Sequence, residues 1–173
     1  LGEPALRSLW ESEVGAMRRG EDYLEMAQLA TDKGLPGEAQ SVLEAAIAKK
    51  SFADPKSAET ANRLLASVKT QAAADKATLP KQAQTAAAGK SGQVDVRLGQ
   101  AFLSYGQYQE ALAAIQRGIG KGNVKNMAEA QLALGQAYLK LGNKAEAAKA
   151  FNAVQGDELL SRLGSLWALR AQQ

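Results

Sequence analysis

Apolar residues fall along this chain at helical spacing. From Pro4 to about Arg18, the residues Leu6, Leu9, Trp10, Val14 and Met17 share one face, and Glu158 to Ala171 repeats the pattern with Leu159, Leu160, Leu163, Leu166 and Trp167. Between them, Ser57 to about Ala74 carries Ala61, Leu64, Leu65 and Val68 on one face, and Leu79-Pro80 followed by Lys81 to Ala88 predicts a second, more polar helix. The chain is therefore expected to be all-α.

Laying the sequence on itself reveals a repeat. Val94-Asp95-Val96-Arg97-Leu98-Gly99-Gln100-Ala101-Phe102-Leu103-Ser104-Tyr105-Gly106 aligns with Ala130-Gln131-Leu132-Ala133-Leu134-Gly135-Gln136-Ala137-Tyr138-Leu139-Lys140-Leu141-Gly142. A second half follows each, Gln109 to Ile115 in one and Ala145 to Phe151 in the other, and both halves keep an offset of 36 residues. Gly99 and Gly135 are placed where two helices approach most closely, with Phe102 and Tyr138 filling the space beside that contact. Gly106 and Gly142 follow the first helix, where a left-handed residue ends it without steric cost. A more degenerate copy near the start places Met26, Ala27, Ala30, Gly34, Ala39 and Leu43 in the same slots, with Pro36 suited to opening its second helix.

This pattern resembles the tetratricopeptide repeat, a helix–turn–helix unit with a period of about 34 residues. Its leucine–glycine pair, aromatic, alanine and phenylalanine are matched by Leu134, Gly135, Tyr138, Ala147 and Phe151, and by Leu98, Gly99, Phe102, Ala111 and Ile115. The early tryptophan of the family is absent, and Asp95 and Gln131 stand in its place. The resemblance implies a right-handed α-α superhelix of helical hairpins with a capping helix at each end.

The resulting division of a single domain, 1–173, is a cap at 1–19, a degenerate repeat at 20–53, a divergent helical pair at 54–91, repeats at 92–125 and 128–161, and a cap at 157–172. Each cap covers an otherwise exposed apolar face with a large aromatic, Trp10 or Trp167. The chain as a whole resembles bacterial tetratricopeptide proteins, often exported, in which a short repeat block follows other repeats. Export from the cytoplasm, to the periplasm for example, is implied by that resemblance alone.

Composition narrows the chemistry. The 173 residues suit one domain or a short stack of repeats. Aromatics are only 5% of them and alanine is frequent, which favours close helix packing over strands. Cysteine and histidine are both absent, which removes disulfides, imidazole or thiolate catalysis and zinc sites of the usual ligand set. No cofactor and no enzymatic role are expected. The net charge of +3 is small and spread along the chain, so it speaks to solubility rather than to nucleic acid. No run approaches the roughly 18 apolar residues of a membrane span. The sequence starts at Leu1 rather than at methionine, as expected of a processed or partial chain, and any signal peptide would lie outside it.

Motifs that could carry chemistry do not hold together. Gly89-Lys90-Ser91 matches the end of a phosphate-binding loop, but Gln84 stands where that loop needs its first glycine. Gly118-Ile119-Gly120-Lys121-Gly122 reads as a flexible turn between repeats. Glu110, Glu129 and Glu146 belong to solvated helix faces with lysines nearby. Arg117, Lys121 and Lys125 cluster around one turn with no aromatic to stack a base, so they read as a solvated face rather than a nucleic-acid site.

In tetratricopeptide arrays the first helix of each repeat lines a concave groove. That resemblance places Gln28, Gln100 and Gln136 in the groove, with Leu24, Val96 and Leu132 one turn back and Leu103, Leu139 and Lys140 one turn on. Chaperone-binding members hold a C-terminal carboxylate with a lysine where Leu24, Val96 and Leu132 stand, so acidic chaperone tails are not expected as ligands. The expected partner is a protein or peptide held in a mostly neutral groove. A second reading is a structural or oligomerisation module in which the Trp10 or Trp167 helix packs on another copy, as a homo-oligomer, or on a further part of a larger protein.

Overall fold

In the computed structural model, residues 17, 19–156 and 158–173 are described, and all of their regular structure is helical. The expected first cap, with Trp10, lies outside the described residues. Among the described residues eight helices follow in order: α1 (Gly20–Asp32), α2 (Pro36–Ala48), α3 (Pro55–Ala88), α4 (Gly92–Ser104), α5 (Tyr108–Lys121), α6 (Met127–Lys140), α7 (Lys144–Asn152) and α8 (Glu158–Ala171). None of them is long and apolar enough to cross a membrane.

Three hairpins are closed by the same device. Gly34, Gly106 and Gly142 have φ of 71°, 70° and 79°, the left-handed region that glycine enters without a Cβ penalty. The next amide then reaches back over the helix end: Leu35 donates to the Ala30 carbonyl at 2.9 Å, Gln107 to Phe102 at 3.0 Å and Asn143 to Tyr138 at 2.9 Å. This pairing satisfies carbonyls that a helix terminus otherwise leaves without partners. Pro36 then opens α2 at a position where its missing N–H costs nothing.

The helical pair expected at 54–91 is instead one continuous helix, α3, with Pro80 inside it. The spacing that sets Gly34, Gly106 and Gly142 puts Thr70 in the turn slot. Threonine does not take up the left-handed conformation readily, and here its hydroxyl donates to the Ala66 carbonyl at 3.3 Å within the helix. With no residue to end the helix and alanine-rich sequence on either side, it runs on through Pro80, whose ring is exposed.

Packing divides the chain into two compact units, up to Ala77 and from Thr78. In the first, Tyr23, Met26, Ala27, Ala30, Ala39, Val42, Leu43 and Ala46 of α1 and α2 pack with Ala61 and Val68 of α3. In the second, Leu79 and Ala86 of α3 join Leu98, Phe102, Ala111 and Ala114 of α4 and α5. The 36-residue step survives inside both cores: Leu43, Leu79, Ile115 and Phe151 are each at most 1% exposed. Gly99 and Gly135 are indeed the points of close approach, since a Cβ there would run into Ile115 and Phe151 respectively. The middle repeat thus keeps its second-helix core position although its turn is gone.

Beyond α4 and α5, α6 packs on α5 and touches α4, and α7 pairs with α6. α8 then packs on α7 and touches α6, so it stands where the first helix of a further repeat would stand. Trp167 is 2% exposed and stacks on Phe151 with ring centroids 5.3 Å apart.

Candidate protein-binding surface

The expected groove residues do not behave alike. On α4 and α6, which lie side by side, Gln100 and Gln136 are partly exposed, as are Leu103 and Leu139, and Lys140 is exposed. Val96 and Leu132 are core residues instead, only 2% and 3% exposed, so they offer a ligand almost no surface. The cause at Val96 is visible: a Cβ on Gly118 would meet its amide and side chain, so α5 comes down directly onto this turn of α4. Gly118 is accordingly buried inside α5, and the turn expected from Gly118 begins only at Gly122, whose φ is 73°.

Gln28 belongs to the first unit and to a different chemical setting. Its amide donates to Asp32 Oδ1 at 2.8 Å, and Glu21, Glu25 and Asp32 on the same helix are exposed. That stripe is acidic, not neutral. Leu24 beside it is partly buried against the α1–α2 core. The amide and leucine pairs of α4 and α6 therefore make up the coherent part of the predicted surface.

The basic cluster at 117–125 is not a solvated face as a whole. Asp95, at 0% exposure, is a buried carboxylate, and Arg117 Nη2 and Lys121 Nζ each lie 2.7 Å from its oxygens. Lys121 Nζ also donates to the Ala86 carbonyl at 2.7 Å and to the Ala87 carbonyl at 3.2 Å. One ammonium thus joins the C-terminal end of α3, where carbonyls and the helix dipole favour a cation, to α4 and α5. Only Lys125 of the three is exposed, with its backbone N–H donating to Gln93 Oε1 at 2.8 Å.

The same arrangement appears 72 residues earlier. Tyr23 occupies the slot equivalent to Asp95, and Lys49 the slot equivalent to Lys121. Lys49 Nζ donates to the Tyr23 hydroxyl at 3.0 Å, and that hydroxyl donates to the Met17 carbonyl at 2.9 Å. In these two repeats the position the family fills with tryptophan is therefore held by a polar side chain tied to a lysine at the end of the repeat's second helix. The clue lay in the i, i+4 spacing of Arg117 and Lys121, which puts both cations on one helix face.

Of the three carboxylates assigned to solvated faces, Glu146 is exposed and pairs with Lys149 at 2.6 Å, which raises the pKa of that lysine. Glu110 is exposed on the first turn of α5, and Glu129 is half-buried, with its N–H donating to the Asn126 cap at 3.1 Å. Elsewhere, burial pushes the Glu38 carboxyl above its ordinary value.

A family model described as tetratricopeptide repeat matches residues 96–158, the segment that runs from the first turn of α4 to the start of α8. No curated protein and no solved structure matches the chain.

Proposed function

The chain carries tetratricopeptide repeats over 96–158, and from that premise we propose that it is a scaffold that holds a peptide or helix of a partner protein along the open face of α4 and α6. The observation that supports this reading is a matched pair: Gln100 with Leu103, and Gln136 with Leu139, recur 36 residues apart on neighbouring helices, and all four remain partly exposed. Half-exposed leucines give a partner apolar surface to cover, and the amides beside them supply hydrogen bonds that fix its register. Lys140 at the end of α6 adds the one charge of the expected set.

Val96 and Leu132 do not belong to this surface, and Gln28 sits on an acidic stripe of its own. The proposed site is accordingly Gln100, Leu103, Gln136, Leu139 and Lys140. The test is capture of partners from cell lysate by the wild-type chain and by the Gln100→Glu, Gln136→Glu double variant, with circular dichroism to show that helicity is unchanged. Loss of specific partners in the double variant is expected. Identical capture by both would place the binding surface elsewhere.

A further inference from the structure

α8 is buried along one side only. Leu160, Leu163, Gly164, Trp167, Ala168 and Ala171 face the core, whereas Leu166 and Leu169 are 42% and 59% exposed. With the partly buried Leu159 they form a second apolar stripe at i, i+7 and i+10 on the outward side of the helix. The outward side of a surface helix is normally polar. This one does not.

The charges beside the stripe indicate its occupant. Arg162 and Arg170 are exposed on the same side, and residues 159–173 contain no aspartate or glutamate. A second copy of α8 fits poorly: pairing two such helices would bring four arginines together, with Glu158 the only carboxylate α8 can offer. We infer that the Leu159–Leu166–Leu169 stripe docks an acidic amphipathic helix of a different protein, its apolar side on the leucines and its carboxylates on Arg162 and Arg170. α8 already takes the place of a first helix in the stack, so the incoming helix packs on it as the second helix of a hairpin would. This surface is separate from the α4–α6 face and does not depend on it.

The experiment uses the full chain and two synthetic helices of about 18 residues, acetylated and amidated at their ends. Both carry leucines at i, i+3, i+7 and i+10; one has glutamates flanking them and the other lysines. Binding is read by fluorescence anisotropy and located by amide chemical-shift mapping. The glutamate helix is expected to bind at least about tenfold more tightly than its lysine twin, with shifts centred on α8. Arg162→Glu with Arg170→Glu should reverse that preference, and Leu166→Gln with Leu169→Gln should abolish binding of both. These residues are exposed, so unchanged Trp167 fluorescence will certify the fold. Gln100→Glu with Gln136→Glu should leave this binding intact whatever it does to the other face. Equal or absent binding of the two helices, shifts away from α8, or self-association that the leucine double variant removes would each overturn the inference.

Discussion

Lys121 and Asp95 meet 2.7 Å apart, and the lysine reaches this buried carboxylate from the last turn of the opposite helix while also holding the α3 carbonyls of Ala86 and Ala87. A charge with no exposed surface is tolerated only when it is paired and hydrogen-bonded. Arg117 and Lys121 together meet that requirement.

Breaking the group should be costly, and the order of the costs is the informative part. Lys121→Met removes a partner of Asp95 and at the same time uncouples α3, so it is expected to destabilise the fold by about 3–5 kcal/mol. Arg117→Met leaves Asp95 with Lys121 and leaves the α3 carbonyls capped, and should cost clearly less. Urea unfolding of the two variants decides it. Equal losses would mean that the bonds to Ala86 and Ala87 contribute nothing.

Glycine positions separate two physical causes. Gly142→Ala meets no neighbour but must hold φ near 79°, which costs a residue with a Cβ about 1–2 kcal/mol. Gly135→Ala keeps ordinary helical geometry but drives its Cβ into the Phe151 ring, an overpacking cost of about 1–3 kcal/mol. Adding Phe151→Leu should recover part of the loss at Gly135 and none at Gly142. Thermal melts of the two pairs are the check, and equal rescue of both would contradict this assignment.

These glycines also show what the sequence could disclose. Gly34, Gly106 and Gly142 made the turns legible because a left-handed backbone leaves a residue-type signature. By the same spacing Thr70 marked the missing turn, yet Pro80 was the more conspicuous breaker and suggested a helical pair. Leu103 and Leu139, expected in a groove, are partly exposed. Val96 and Leu132, expected beside them, are buried, because their burial depends on how closely the neighbouring helices approach, which no single helix pattern contains. Asp95 stood out as an exception to the family pattern, but its partners lie 22 and 26 residues away and become evident only once α4 and α5 are packed.

The Glu38 carboxyl predicts a pH dependence with a definite sign. Burial raises its pKa above 4.5, so the folded chain holds this proton more firmly than the unfolded chain does. The resulting stabilisation is complete below the unfolded value and is lost as pH rises through the folded one. Glu38→Gln removes the ionisation, so its melting temperature should exceed that of the wild type at about pH 7 and match it at about pH 3. A difference of the same size at both pH values would show that the effect is steric.

Trp167 tests whether the stack behaves as a chain of neighbours. Its ring lies 30° from the plane of Phe151, and it is the largest side chain fixing α8 to α7. Trp167→Ala should cost about 3–5 kcal/mol in that contact, whereas Trp167→Phe keeps a stacked ring and should cost less. In a nearest-neighbour array the loss stays local before it spreads. Amide hydrogen exchange in the alanine variant is therefore expected to accelerate strongly in α8 and in the adjoining part of α7. The α4 and α5 amides, held through Asp95 and Ile115 and two helices removed from the cavity, should keep nearly their wild-type protection. Uniform acceleration across α4 to α8 would show instead that these helices unfold as one cooperative block.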